Sequence, residues 1–301
     1  MIEAARRGAL GPVTVPTTAQ VVLRRRVNHG LWVLFLGIVV LALFGPLVIL
    51  VAFSFNDSRI LAFPFAGFTM KLYSTALQDT ALREALVNSF GVAFVVAPLC
   101  VVLGTLAAFG LARFRFRGRG VIGGLVAAPL VLPWLIIGIA ALMGYVRVGI
   151  DLDLKTVIAT QTICTFPLVT AIVSAQLFRF QRAQEEAAID LGCSRLQVLR
   201  YIILPHIGPA LAAAAIFAFT WSFNNYEISA FTVGFQQTFP IWVYSSVRNP
   251  DHTAVVNAIS TLISAAQVGM IWLAVRLLRG RGGSGTLVLA EEPRAVVDVA
   301  A

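Results

Sequence analysis

The chain has 301 residues, 58% of them hydrophobic and 12% charged, against about 45–50% apolar and about 25% charged in an ordinary soluble domain. That balance excludes a water-soluble globule and points to a bilayer. The net charge of +9 does not require a nucleic-acid partner, because an excess of Arg beside anionic lipid accounts for it.

In chain order, Met1 to Gly30 reads as a cytoplasmic tail whose stretch "RRGALGPVTVPTTAQ" is expected to be disordered. Spanning a bilayer takes about 20 consecutive apolar residues in a helix, which pairs its own backbone amides. Six runs qualify: Leu31 to Phe53, Leu86 to Leu111, Val121 to Val146, Thr156 to Leu177, Ala210 to Val233 and Ala254 to Val275. The first is longer than a secretory h-region and has no A-x-A site close behind it, so it reads as an uncleaved helix. The expected fold is all-α and polytopic, a single transmembrane domain over 31–278, followed by a disordered cytoplasmic tail over 279–301. Pro46, Pro98, Pro129, Pro133 and Pro167 fall inside the runs and imply kinked helices whose freed carbonyls are satisfied by neighbours. The outer stretch Ser54 to Ser89 mixes aromatic residues with balanced charge and reads as an amphipathic segment on the membrane surface.

Charge between the runs sets the orientation. Of 23 Lys and Arg residues, 17 fall in alternate segments: Met1 to Gly30, Ala112 to Gly120, Phe178 to Pro209 and Arg276 to Ala301. The positive-inside rule places those segments, and both termini, in the cytoplasm. The only Asp, Glu, Lys or Arg within the six runs is Glu227, in "WSFNNYEIS". Polar groups at such a depth need an account, and two stay open. Either Glu227 simply reaches the headgroup layer while Asn224, Asn225 and Tyr226 bond neighbouring helices, or Trp221, Asn224, Asn225, Tyr226 and Glu227 line a polar path whose carboxylate attracts a cationic solute.

Several chemistries are disfavoured. There is no GxxxxGK[ST] P-loop, and neither Lys71 nor Lys155 follows a glycine, so ATP chemistry would come from another chain. His29, His206 and His252 are scattered, with no nucleophile and base set near them. Cys100, Cys164 and Cys193 form no CxxC and have no His at ligand spacing, so neither a metal site nor a disulfide framework is expected.

The cytoplasmic loop at about 179–209 is the most informative stretch. Ala183, Ala187 and Leu191 recur at helical spacing, with Glu185, Glu186 and Asp190 mostly on other faces. Gly192 is expected to close that helix in the left-handed conformation. Ser194 and Gln197 have the spacing of a capping box that starts a second short helix, which Pro205 should end. A helix-turn-helix DNA reader has a similar layout, but a unit held between two spans could hardly reach a major groove.

Glu186, Ala187 and Ala188, then Gly192, Ile202, Leu204 and Pro205, reproduce the pattern EAA-x3-G-x9-I-x-LP without a mismatch. The loop therefore resembles the EAA loop of permease subunits in bacterial binding-protein-dependent ABC importers. "GFTMKLYSTAL", "EALVNS" and "EISAFTVGFQQTFPIWVYSSVR" resemble the spermidine/putrescine-type branch, in particular the smaller permease of its pair. Many members of that branch carry acids just before the equivalent of Tyr226, where this chain has Asn224 and Asn225.

The resemblance implies a type I importer permease fold of six spans in the bacterial inner membrane, with a coupling helix between the fourth and fifth. Glu185, Glu186, Ala187, Ala188, Asp190 and Gly192 would then dock on an ATPase subunit, and Ile202, Leu204 and Pro205 would tie the loop to the fifth span. It implies no catalytic residue and no cofactor in this chain, ATP and Mg²⁺ being bound by a partner ATPase dimer. The other partners implied are a homologous second permease, an external solute-binding protein and membrane lipid. The expected cargo is a polyamine or related cation. A secondary transporter or channel with Glu227 as its proton or cation site is the alternative; it leaves the Glu186 to Pro205 spacing unexplained.

Overall fold

The computed structural model describes residues 18–57, 65–248 and 250–281, with side chains for 29–57, 65–248 and 253–276. The disorder expected of the two tails concerns mostly residues outside that set. Where the set begins, Thr18 to Gly30 is already helical, as the start of α1 (Thr18–Phe53), so helix reaches well into the segment read as a tail. Among the described residues the secondary structure is helical, apart from one isolated antiparallel bridge between Asn56 and Phe68.

Three helices form the centre, α3 (Thr80–Arg113) and α6 (Leu154–Arg179) running parallel and α9 (Leu204–Phe223) antiparallel to them. Each of the first two starts at an aspartate. Asp79 accepts from the Ala81 and Leu82 amides at 2.9 and 3.1 Å, and Asp153 accepts from Lys155 and Thr156 while the Thr156 hydroxyl accepts from the Asp153 amide. These caps satisfy amides that a helix start leaves without partners. Val92, Val96, Cys100 and Ala108 of α3 pack with Val169, Val173 and Leu177 of α6, and with Ile207, Ala214 and Ala218 of α9. At Gly104 the contact is so close that an added Cβ would lie 2.7 Å from the Val169 side chain, so only glycine lets α3 and α6 meet there.

Two of the six expected spans differ from expectation. The run Val121 to Val146 is two helices, α4 (Arg119–Val131) and α5 (Trp134–Val148), meeting at 103°. Pro133 is the cause. A residue before proline is driven out of the helical region, and Leu132 is extended, at φ −79° and ψ 138°. Among the described residues, five helices are thus long and apolar enough to cross a membrane, and the bent pair makes a sixth if it counts as one span.

The run Ala210 to Val233 is also displaced. Its helix ends at Phe223 and begins upstream, at Arg195, where α8 (Arg195–Val198) passes through a π turn (Leu199–Ile203) into α9. Pro205 therefore ends nothing. The Leu204 amide bonds to the Leu199 carbonyl, five residues back, and the widened turn accommodates a ring that would clash in a tight one.

The remaining helices lie outside this centre. α1 buries no side chain between Leu31 and Ala52. α2 (Lys71–Gln78), from the outer segment read as amphipathic, rests on α12 (Pro250–Arg281) and α3; residues 58–64 of that segment lie outside the described set. Between α6 and α8 stands α7 (Arg182–Asp190), and after α9 come α10 (Ser229–Thr232) and α11 (Phe239–Val247). The α7–α8 loop and the Trp221–Glu227 stretch consequently occupy opposite ends of the bundle.

Candidate functional site

At the first end, α7 closes through a Schellman turn. Gly192 adopts φ +90°, its amide bonds to the Ile189 carbonyl at 2.9 Å, and the Cys193 amide bonds to the Ala188 carbonyl at 3.0 Å. A Cβ on Gly192 would meet nothing within 4 Å; the glycine is required by its backbone angle, not by crowding. The capping box is present as well, with the Ser194 amide donating to Gln197 Oε1 at 2.7 Å and the Gln197 amide to Ser194 Oγ at 3.4 Å. A reversed turn and a fresh helix start, back to back, fix the angle between α7 and α8.

This geometry divides the expected docking residues. Glu186, Ala187, Asp190 and Gly192 are exposed, as are Leu204 and Pro205. Ala188 is not; it is buried against the bundle with Val198 and Ile203, and Ile202 is half-buried. Glu185 turns inward, pairing with Arg113 at the end of α3. Leu196 points outward at 72% exposure, and Leu191 is 87% exposed. Ile189 and Tyr201 are exposed as well, so the loop turns apolar side chains outward alongside the exposed Glu186 and Asp190. Exposed apolar side chains beside charge have the composition of a protein docking surface.

At the opposite end, α9 stops at Phe223 and the chain turns through Asn224. Glu227 lies beyond the helix, exposed, rather than on its wall. The five expected path residues do not share one cavity. Four of them, Trp221, Asn224, Asn225 and Glu227, border an open groove of about 680 Å³ between α9 and α12. Trp221 stacks there on Phe217 at 5.3 Å and meets Trp134 of α5 edge-on at 5.0 Å. Tyr226 belongs to a second groove of about 600 Å³ with Tyr244, Arg248 and Gln267. There it packs on Tyr244 at 4.8 Å, with the Arg248 guanidinium 4.5 Å from the Tyr244 ring centre. Asn224 borders both grooves.

Asn225 is buried at 4% exposure, and its Oδ1 accepts from the Ile228 amide at 3.0 Å. It holds the turn that carries Glu227. Sequence reasoning missed its support, Gln161. That side chain, 1% exposed, accepts from Ser222 Oγ at 2.5 Å and donates to Ser229 Oγ at 3.0 Å, and Ser229 Oγ donates to the Asn225 carbonyl at 2.7 Å. One amide on α6 thereby stitches the last turn of α9 to α10. A glutamine deep within a membrane-spanning run, away from the ends, was the available signal. Gly138 on α5 gave none: a Cβ there would lie 2.8 Å from the Glu227 carbonyl oxygen, so α5 lies directly against the backbone that presents the carboxylate.

Comparison with known proteins adds to this geometry. The family described as "binding-protein-dependent transport system inner membrane component" matches residues 100–278. The chain is 36% identical over 241 residues to the putrescine transport system permease protein PotI of Escherichia coli strain K12, covering 76% of this chain and 83% of that protein. It is 32% identical over 233 residues to the spermidine/putrescine transport system permease protein PotC of the same strain, covering 76% and 86%. Among solved structures, a chain of a bacterial alginate ABC transporter in complex with an alginate pentasaccharide-bound periplasmic protein superposes with a TM-score of 0.68 at 13% identity, over 90% of this chain and all of that one.

Proposed function

Because the chain belongs to the family of inner-membrane components of binding-protein-dependent transport systems, we propose that it imports a polyamine or related small organic cation as one half of a two-permease pathway. It is a multi-pass helical permease subunit of an ABC importer. The α7–α8 face docks on a separate ATPase subunit, which binds ATP and Mg²⁺ and does the hydrolysis. An external binding protein delivers the solute at the opposite end, and a second permease completes the pathway. Both termini and the α7 end lie in the cytoplasm, an orientation supported by the 17 of 23 basic residues in the segments assigned there.

One observation carries this reading: the EAA-type loop is built as a rigid elbow that leaves Glu186, Ala187, Leu191 and Leu196 turned outward. Closure of the ATPase dimer would press on that elbow. The elbow continues without a break into α9 through the π turn, so α9 follows and the far end of the bundle changes its opening. Nucleotide biases this equilibrium only by binding one state better than the other. The cation assignment is supported by the names of PotI and PotC and by a carboxylate placed beside Trp221 in the first groove, since a carboxylate and an aromatic face both attract an ammonium group. An exposed Glu227 past the helix end does not supply the enclosed carboxylate that a proton-driven carrier would need.

The test is Glu186→Arg, which reverses a charge on the outward face and touches no residue of the chain's own core. The expected result is loss of the ATPase from the purified complex and loss of uptake, with membrane insertion unchanged. Normal uptake with the ATPase still bound would refute the docking assignment.

A further inference from the structure

Chain continuity connects the elbow to α6, through Phe180 and Gln181, and to α9. It does not connect it to α3, although α3 is the helix packed most extensively against both. The link to α3 is made by side chains. Arg113, the last residue of α3, forms an ion pair with Glu185 in the first turn of α7. Arg182 of α7 donates in return to the Ala112 carbonyl at the end of α3, at 3.4 Å. The Arg113 guanidinium also lies 5.7 Å from the centre of the Phe180 ring, at the residue that ends α6.

We propose that the Arg113–Glu185 pair is a strut that carries movement of the α7–α8 elbow into α3, making Glu185 a positioning residue inside the subunit instead of a contact to the ATPase. The pair is well shielded, with side chains 14% and 21% exposed, so solvent and salt screen it far less than an exposed pair. Arg113 Nε has no hydrogen-bond partner among the described residues. If α7 moved and α3 did not, a largely buried guanidinium would be stranded, and that penalty is what makes α3 follow. The nearby Arg115 and Arg117 are exposed in the loop beyond α3 and point to no replacement. Beneath the pair, Ala188 of α7 sits in the same apolar cluster as Ala108, Phe109 and Ala112 of α3, so the ionic contact caps a continuous packed seam.

The inference rests on the importer reading, and the experiment separates the two. In vesicles containing the whole importer, solute moved and ATP hydrolysed are measured together for R113E, E185R and the exchange R113E/E185R. Each single variant should keep its ATPase subunit and hydrolyse ATP while solute moved per ATP falls about tenfold, and the exchange should return that ratio to within about threefold of the native value. Should R113E fail to accumulate in the membrane, R113Q is read by the same ratio. Single variants with an unchanged ratio, or an exchange as uncoupled as they are, would overturn the strut. Loss of the ATPase subunit from E185R would put Glu185 on the docking surface and overturn the strut while leaving the importer reading intact.

Discussion

Gln161 holds one end of the bundle as Arg113 holds the other, and neither works through an exposed group. Its amide connects α6 to Ser222 and Ser229 with under 2% of its surface open to solvent, and buried polar groups left without partners cost about 1–3 kcal/mol each. Gln161→Leu should therefore lower the melting temperature of the purified permease and reduce uptake, because the Asn225 turn that presents Glu227 loses its support. Glu227→Gln separates the two effects: it should leave melting unchanged and reduce cation uptake by about tenfold, the equivalent of about 1.4 kcal/mol. Unchanged cation uptake in Glu227→Gln would remove the carboxylate from the pathway. The sequence pointed to Glu227 as the one charge in six apolar runs, yet it could not show that Tyr226 borders a different groove or that Asn225, in the first groove, also braces the turn. Which groove a side chain borders depends on where a helix stops, and α9 stops ten residues before its apolar run does.

At the scale of elements, apolar length identified the spans, and local chemistry set their ends. Asp79, Asp153 and the Gly192–Ser194 pair are signals with a direct physical meaning, and the turn between α7 and α8 was legible from Gly192, Ser194 and Gln197. Pro133 and Pro205 were not, because proline is ambiguous within an apolar run. At Pro133 the helix breaks, whereas at Pro205 it widens into a π turn and continues. The elbow itself gives a sharp prediction. Gly192→Ala meets no obstruction but places a Cβ in the left-handed region, at a cost of about 1–2 kcal/mol. The Schellman turn should loosen and solute moved per ATP should fall severalfold without loss of the protein from the membrane. Full coupling in this variant would mean that the angle between α7 and α8 is unimportant.

As a whole molecule the chain has the form of a part. α1 buries no side chain from Leu31 to Ala52, both grooves are open, and the outward side chains of the elbow cover nothing within the subunit. Lipid accounts for much of the exposed apolar surface, but it does not account for a rigid elbow that carries glutamate and aspartate beside leucine at the membrane boundary. Composition revealed the bilayer, and the motif marked the loop proposed to dock. The ion pair that ties the loop to α3 joins residues 72 positions apart, and no local pattern in the sequence marks it.

The most direct measurement of the central claim, that a separate ATPase drives this subunit through the α7–α8 elbow, is cation uptake into vesicles holding the complete importer, with ATP supplied and the proton gradient collapsed. The account predicts that uptake continues at its full rate, stops when ATP is withheld, and is absent for Glu186→Arg. Uptake that vanishes with the proton gradient while ATP is plentiful would contradict it.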